Sequence, residues 1–186
     1  KELNIKRPEQ VWVPDITYIG KREKPCYLSL ITDAYSKKIM GYEVSDSLST
    51  QGCINALKMA HKNRVFRTEP LIHHSDRGIQ YCSDEYQYFL KKCSLKCSMT
   101  QNSDPYENAV AERINGILKQ EFRIDAYHLE LYLMKKLVAE IINKYNQIRP
   151  HCSNYMLTPD QMHLQRSIKM KTYKTKNRSN SEVTSV

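Results

Sequence analysis

The order of β-rich and amphipathic segments is the feature that most restricts how this chain can fold. Three β-rich runs follow one another within the first 46 residues: QVWVPDITYIG, CYLSLITDAYS and KKIMGYEVSD. A short polar turn at about residues 36–38 separates the last two runs, which predicts an antiparallel hairpin. Pro14 lies inside the first run and predicts an edge strand or a bulge, with Trp12, Asp15 and Thr17 on one face.

The next segments alternate helices with short strands. Ser49 or Thr50 fits the cap of an amphipathic helix, QGCINALKMAHKNR, and residues 70–75 predict a short strand that ends near Asp76. DEYQYFLKKC predicts a second helix and LKCSMT a fifth strand. The sequence therefore predicts an α/β fold in which a five-stranded mixed sheet is flanked by helices.

Two longer helices follow the last strand. In QNSDPYENAVAERINGILKQEF, Asp104 fits the N-cap, Pro105 the first helical residue, and Glu107 the acidic partner of the cap. A further helix covers roughly residues 129–147 and ends before Pro150, because proline denies helical geometry to the residue that precedes it.

Charge and length suggest one folded domain and a basic tail. The chain has 186 residues, 40% of them hydrophobic, and a formal net charge of +9. Residues 166–186 carry six basic side chains against one acidic side chain. We place the folded domain at 1–165 and a disordered tail at 166–186. The charge favours an anionic partner, above all nucleic acid, although a solvated surface explains a mildly basic body equally well.

The six cysteines follow no paired spacing of the secreted kind, and the sequence shows neither a signal peptide nor an apolar run of membrane-spanning length. A reduced, cytosolic protein with no membrane partner is therefore expected. Cys93 and Cys97, with His73 and His74, offer half of a zinc site. The three-residue gap and the lack of a second CxxC favour buried free thiols instead.

Three carboxylates occupy the positions that are best placed to come together in such a sheet. Asp15 lies in the first strand, Asp76 follows the fourth strand in LIHHSDRGIQYCS, and Glu112 lies on a helix that crosses the sheet. Taken singly, each residue has a more ordinary interpretation: a surface strand residue, a turn former before Arg-Gly, and a solvated helix residue.

Four stretches of the chain resemble the catalytic core of insertion-sequence transposases of the IS-three family, which are similar to retroviral integrases. They are WVPDITYI, LIHHSDRGIQYCS, SMTQNSDPYENAVAERINGILKQEF and YNQIRPHCSNYMLTPDQMH, and the resemblance covers roughly residues 8–163. Between Asp76 and Glu112 lie 35 residues, the spacing of the family's DDE pattern. Many relatives have threonine before the first aspartate, where this chain has Pro14.

The resemblance implies a ribonuclease-H-like fold and an enzyme that nicks DNA and joins strands. Such phosphoryl transfer uses two cations about 3.5–4 Å apart, and oxygen ligands suit Mg²⁺, with Mn²⁺ as a substitute. Asp15, Asp76 and Glu112 would hold the two ions, with Asp15 as the bridge. Two other functions remain open: a ribonuclease-H-like nuclease, and a catalytically idle fragment that only binds DNA.

Several further residues are candidates for DNA binding. Lys119 shares a helical face with Ala109, Glu112 and Gly116, and the resemblance implies that a basic residue at this position contacts DNA. The weaker candidates are Arg113, Asn108, Gln80, Tyr81 and Arg149. His74 and Ser75 could orient Asp76 or contact phosphate, although a histidine satisfied within the core is the commoner outcome. Arg149 and His151 could bind phosphate or, equally, tie the last helix to the body. Asp33 is expected to be structural or a hydrogen-bond partner.

The resemblance also implies partners and a cellular location. DNA at the element ends and at the target is the expected partner, and the active complex is expected to be a homo-oligomer. Relatives recognise their ends through a helix-turn-helix region N-terminal to this core, so a separate region or subunit is expected to supply it. The expected location is the bacterial cytoplasm, at the nucleoid during activity.

Overall fold

The strands and helices occur in the predicted order. The computed structural model describes residues 4–20, 25–99 and 105–165, without the side chains of 105–108. The elements are β1 (Val11–Gly20), β2 (Pro25–Asp33), β3 (Ile39–Ser45), α1 (Thr50–Lys62), β4 (Ile72–Ser75), α2 (Ile79–Cys82), α3 (Asp84–Lys92), β5 (Lys96–Met99), α4 (Pro105–Gln120), α5 (Leu131–Gln147) and α6 (Pro159–His163). The helix α2 was not predicted, because four residues are too few to show a helical period. The predicted N-cap Asp104 and the tail lie outside the described residues.

The five strands form one mixed sheet in the order β3-β2-β1-β4-β5. β1 pairs antiparallel with β2, and β2 with β3, so the predicted hairpin is confirmed. β4 is parallel to both β1 and β5. The carboxyl ends of β1 and β4 consequently lie at the same edge of the sheet.

Pro14 lies in the central strand, so the predicted edge or bulge was wrong. The Ala34 N–H donates to the Val11 carbonyl, which makes these two residues a hydrogen-bonded pair. Alternation along β1 then directs the nitrogen of Pro14 away from β2. On that side β1 pairs with β4 only at Val11 and Trp12. Because proline has no N–H to donate, it marks the point where β4 separates from β1.

The two faces of β1 carry different residues from those predicted. The register between β1 and β2 runs without a shift through Pro14, so strict alternation continues along the strand. Asp15 therefore shares its face with Val13 and Thr17, whereas Trp12 points to the opposite face. The predicted grouping of Trp12 with Asp15 was wrong because it assumed a break at the proline.

Helices cover both faces of the sheet, and each face has its own core. One core joins the sheet to α1 and α3 through Trp12, Ile31, Leu57 and Leu90, among others. The other joins the sheet to α4 and α5 through Leu28, Leu30, Ile114, Leu118 and Val138, among others. Each of these buried side chains contributes about 1.5–3 kcal/mol. Ala111 of α4 also packs against Val11 and Val13, so α4 lies on the face that carries Asp15.

The structure also bears on membrane and cysteine chemistry. Within the described parts of the chain, we find no helix whose length and apolar character would let it cross a bilayer. All six cysteines are free thiols. The prediction that Cys93 and Cys97 are buried was wrong for Cys97, which is exposed because β5 is an edge strand; Cys93 is half-buried.

A buried polar network ties the N-terminal segment to α6. Glu9, Asp33, Ser36 and His163 are all 0% exposed. His163 Nε2 lies 3.3 Å from Glu9 Oε1, and its Nδ1 lies 2.9 Å from the Ser36 hydroxyl, which donates to Asp33 at 2.7 Å. Arg64 Nε donates to Glu9 at 3.2 Å. The Glu9 N–H donates to Asp33 at 2.7 Å, which confirms the structural role predicted for Asp33.

This network shifts the protonation of its members. Burial alone would raise the pKa of Glu9, but hydrogen bonds from His163, Arg64 and the N–H groups of Val65 and Phe66 outweigh it and lower the pKa to about 2. Burial opposes the charged form of His163, yet hydrogen bonds to the two carboxylates raise its pKa above the usual value. The network thus holds charged groups inside the fold.

Candidate active site

Asp15 and Asp76 lie side by side where β1 and β4 separate. In the parallel register Val11 is opposite Ile72, and Trp12 is opposite His73. Extending this register by three residues brings Asp15 level with Asp76. Ligand sites in open α/β sheets form in such crevices, beyond the carboxyl ends of parallel strands.

Asp76 is held by the turn that follows β4. Its Oδ1 accepts a hydrogen bond from the Gly78 N–H at 2.9 Å, and the side chain is exposed. A Cβ at position 78 would lie 3.0 Å from Asp76 Oδ1 and 3.3 Å from the ring of Tyr81. Glycine thus leaves room for the carboxylate to fold back onto the turn. Asp76 is a turn residue and an exposed carboxylate at once.

The helix α4 brings two polar residues to this edge. Glu112 is exposed, and Asn115, three residues further on, lies on a neighbouring part of the same helical surface. Asn115 Nδ2 donates a hydrogen bond to Asp15 Oδ2. Asn115 was not among the predicted site residues; its only signal was the i+3 spacing from Glu112 in the motif ERIN.

The pKa of Asp15 reflects both its burial and the charges around it. The pKa of Asp15 is raised to about 6, chiefly because the side chain is partly buried. Hydrogen bonds from the Ile16 N–H and from Asn115 lower it, and the negative charges of Asp76 and Glu112 raise it further. A strand carboxylate with a raised pKa beside two other carboxylates is the kind of group that functional sites contain.

The donor set suits a hard divalent cation. Asp15, Asp76 and Glu112 offer only oxygen atoms, which Mg²⁺ and Mn²⁺ prefer. A cation between them would relieve the repulsion that raises the pKa of Asp15. Over residues 4–20, 25–99 and 105–165, no group of three or more His, Cys, Asp or Glu side chains is already arranged to hold a metal ion.

We expect Asp15→Asn to stabilise the protein at neutral pH by up to about 3 kcal/mol. Well below both pKa values the folded and unfolded states both carry the proton, so Asp15 costs nothing. Between the ordinary pKa of 3.8 and the folded value of about 6 the unfolded state loses its proton first, so stability falls as pH rises. Urea unfolding at pH 7.5 and at pH 4 measures the gain, which should fall below about 1 kcal/mol at the lower pH.

The exposed Asp46, which lies just beyond β3, provides the matched control. Asp46→Asn should leave the free energy of unfolding within about 0.5 kcal/mol of the wild-type value at both pH values. An equal gain for Asp15→Asn at both pH values would contradict the electrostatic origin of the effect.

The candidates for DNA binding differ in their surroundings. Lys119 is half-buried in the last turn of α4, and Arg113 is exposed one residue after Glu112. Gln80 lies in α2, where its Nε2 approaches the Leu48 carbonyl at 3.4 Å. Tyr81 is only 4% exposed and packs edge-on against Tyr86. Tyr81 therefore supports the turn after Asp76 from the core side.

Most of the remaining candidates have contacts elsewhere in the fold. Arg149 forms a bidentate ion pair with Glu121, with both nitrogen–oxygen distances at 2.6 Å. His151 is buried, with its ring edge-on to Tyr145. His74 Nδ1 lies 3.0 Å from the Ser98 hydroxyl, and Ser75 is buried. The side chain of Asn108, in the first turns of α4, lies outside the described residues.

Comparison with known families decides the classification. Residues 5–105 match a family described as the integrase core domain, and residues 94–159 match a second family with the same description. The chain belongs to the integrase core domain family. The first match includes Asp15 and Asp76, and the second includes Glu112.

Curated relatives of this integrase core domain are bacterial insertion-sequence transposases. Transposase InsF for insertion sequence IS3A, from Escherichia coli K12, is 35% identical over 155 residues, which is 83% of this chain and 54% of the relative. The transposase for IS629 from Shigella sonnei is 40% identical over 119 residues, which is 64% of this chain and 40% of the relative. The predicted resemblance is confirmed. The chain spans about half the length of these relatives, or less.

Solved integrase cores share the fold. The catalytic core domain of HTLV-2 integrase, in complex with magnesium, superimposes with a TM-score of 0.65 at 21% identity, over 84% of this chain and 97% of that chain. The catalytic core domain of BIV integrase does so with a TM-score of 0.66 at 15% identity, over 84% and 94%. These similarities confirm the predicted ribonuclease-H-like fold.

Proposed function

We propose that this integrase core domain is the catalytic domain of a DNA transposase, which nicks DNA and transfers strands with the help of divalent metal ions. The observation that carries this proposal is the placement of Asp15 and Asp76 at the edge where β4 separates from β1. Asp15 from β1 is perturbed by Asp76 from the end of β4 and by Glu112 from α4. Transposase relatives and the 35-residue spacing between Asp76 and Glu112 support the same conclusion.

In this proposal Asp15, Asp76 and Glu112 hold two Mg²⁺ ions, for which Mn²⁺ can substitute. When bound, the metal ions neutralise charge on the reacting phosphate and make an attacking oxygen more nucleophilic. The magnesium complex of the HTLV-2 integrase core supports this choice of ion. Asn115 orients Asp15, and the Gly78 N–H orients Asp76. Because the pKa of Asp15 is about 6, the site reaches its full negative charge only above that pH.

The residues beside the carboxylates would bind the DNA backbone. Lys119 lies seven residues after Glu112, and therefore two helical turns along nearly the same face of α4. Arg113 is exposed close to the same carboxylate. Contacts to phosphate by such side chains make binding strongly dependent on salt. A flat salt response would count against a surface that follows phosphates.

The proposed working complex is an oligomer on DNA in the bacterial cytoplasm. Integrase core structures of HTLV-2 are described in dimeric and trimeric forms, and a simian T-cell lymphotropic virus integrase in an intasome. In keeping with the resemblance to insertion-sequence transposases, we infer that a helix-turn-helix region recognises the element ends.

Substrate comparison tests the proposed function. The purified full chain should nick and join a duplex that carries the element's terminal sequences, with Mg²⁺ or Mn²⁺ present, and EDTA should abolish both steps. An RNA–DNA hybrid should be a poor substrate. Preferential cleavage of the RNA strand in the hybrid would instead support a ribonuclease-H-like nuclease. Binding without cleavage of any substrate, with either metal, would support the idle fragment.

A further inference from the structure

A second basic site lies on another face of α4. A cavity of about 360 Å³ opens between α4 and the segment that follows α5. Its wall includes three basic side chains, Lys37, Arg113 and Arg149, and the imidazole of His151. None of the carboxylates Asp15, Asp76 and Glu112 is among the described residues that line it.

Two of these basic groups have no carboxylate partner. In the part of the chain that the structure describes, neither Lys37 nor Arg113 forms an ion pair, and Arg149 pairs with Glu121. The Lys37 ammonium donates to the Ala34 carbonyl, and its partial burial lowers its pKa. Positive charge at this cavity is therefore incompletely neutralised by the protein.

The imidazole of His151 provides a second, independent observation, a buried nitrogen that lacks a hydrogen-bond partner. The residue is 5% exposed, and its Nε2 is buried with no hydrogen-bond partner in the described structure. Its backbone N–H donates to the Leu157 carbonyl at 3.1 Å, and its ring packs edge-on against Tyr145 at 5.3 Å between centroids. The imidazole is thus held in place beside the cavity, and its buried Nε2 has no partner in the described structure. A buried polar atom without a partner is costly unless a ligand or water completes it.

Apolar side chains line the cavity beside these polar groups. They are Val110 and Ile114 of α4, together with Pro150. A volume of about 360 Å³ lies within the range of small-molecule sites. Positive charge above an apolar surface suits a phosphate that is joined to a sugar or a base.

We propose that this cavity binds one nucleotide unit of a DNA strand away from the reacting phosphate. Lys37 and Arg113 contact the phosphate, the His151 ring lies beside the strand, and the sugar or base lies on Val110. Arg113 directly follows Glu112, so the two side chains leave α4 about 100° apart. A strand that crosses α4 from the carboxylates can thus reach the cavity. This inference rests on the proposed function, because DNA is the strand it invokes.

Titrations of the His151 ring test the inference. The full chain is titrated with a 5′-phosphorylated dinucleotide and, separately, with inorganic phosphate, and ¹⁵N-detected imidazole signals are followed by NMR. We expect the His151 Nε2 signal to shift with saturation for the dinucleotide, and more weakly for phosphate. Arg113→Gln should weaken dinucleotide binding about tenfold. The matched control Arg67→Gln removes the same charge from an exposed site and should change the dinucleotide affinity less than threefold.

Several outcomes would overturn the inference. One is a His151 signal that does not respond to the dinucleotide. Another is a dinucleotide affinity that Arg113→Gln and Arg67→Gln weaken equally. An equal response to inorganic phosphate would overturn the assignment to a nucleic-acid strand. Glu112→Gln separates the two proposals, because it should abolish cleavage and leave the His151 response unchanged. If cleavage survives in that variant, the proposed catalytic role of Glu112 fails independently of the cavity.

Discussion

Replacing Glu112 by glutamine is expected to lower metal-dependent strand cleavage and joining by about three orders of magnitude or more. The side chain is exposed on α4, so the substitution removes a charge without disturbing the core. The loss follows because two carboxylates hold divalent ions less well than three, and the ions provide several kcal/mol of stabilisation to the transition state. Cleavage rates on an element-end duplex at pH 7.5 with Mg²⁺ give the measurement.

A surface glutamate on another helix provides the control for this prediction. Glu140 is exposed in α5, and Glu140→Gln should retain wild-type cleavage. Thermal unfolding of both variants should match the wild type within about 2 °C. Asp76→Asn should reproduce the loss seen with Glu112→Gln. If Glu112→Gln and Asp76→Asn both retain wild-type cleavage, these carboxylates do not form the catalytic site.

Replacing Glu9 by glutamine is expected to destabilise the protein by about 3–5 kcal/mol at pH 7. Glu9 is fully buried, and the change leaves the Arg64 guanidinium inside the fold without its carboxylate. Because the pKa of Glu9 is lowered to about 2, its charge stabilises the fold above pH 4.5, and this contribution is lost as pH falls towards 2. Urea unfolding across this pH range should show the gap between variant and wild type closing.

The raised pKa of His163 adds a second pH window to the same network. A histidine whose folded pKa is raised stabilises the fold below its ordinary value of 6.5, and the stabilisation is lost as pH rises through the folded pKa. The network should therefore contribute most between about pH 4.5 and 6.5.

The same substitution at an accessible ion pair is the control for Glu9→Gln. Glu43 pairs with Lys135 at 2.6 Å near the surface, and Glu43→Gln should cost less than about 1 kcal/mol. A loss below 1 kcal/mol for Glu9→Gln would mean that water or a rearranged partner already compensates Arg64.

Element types and carboxylate positions could be predicted because their signals are local. Hydrophobic periodicity and the Asp-Pro start of α4 depend on neighbours within a few residues, and the observed α4 begins at Pro105 as expected. The edge or bulge predicted at Pro14 was wrong because its surroundings depend on distant parts of the chain. Whether its missing N–H matters depends on which side β4 approaches and on how far the β1–β4 pairing extends.

The sequence by itself determined the order of strands and helices, the family, and the three carboxylates that we propose to be catalytic. Only the tertiary structure decided how these residues meet. It brought Asn115 to Asp15 across 100 residues of chain, buried Glu9 against His163 across 154, and left His151, beside a basic cavity, with an unpaired nitrogen. The physical reason is range: secondary structure follows from neighbouring side chains, whereas hydrogen bonding and burial depend on segments that meet only when the chain folds.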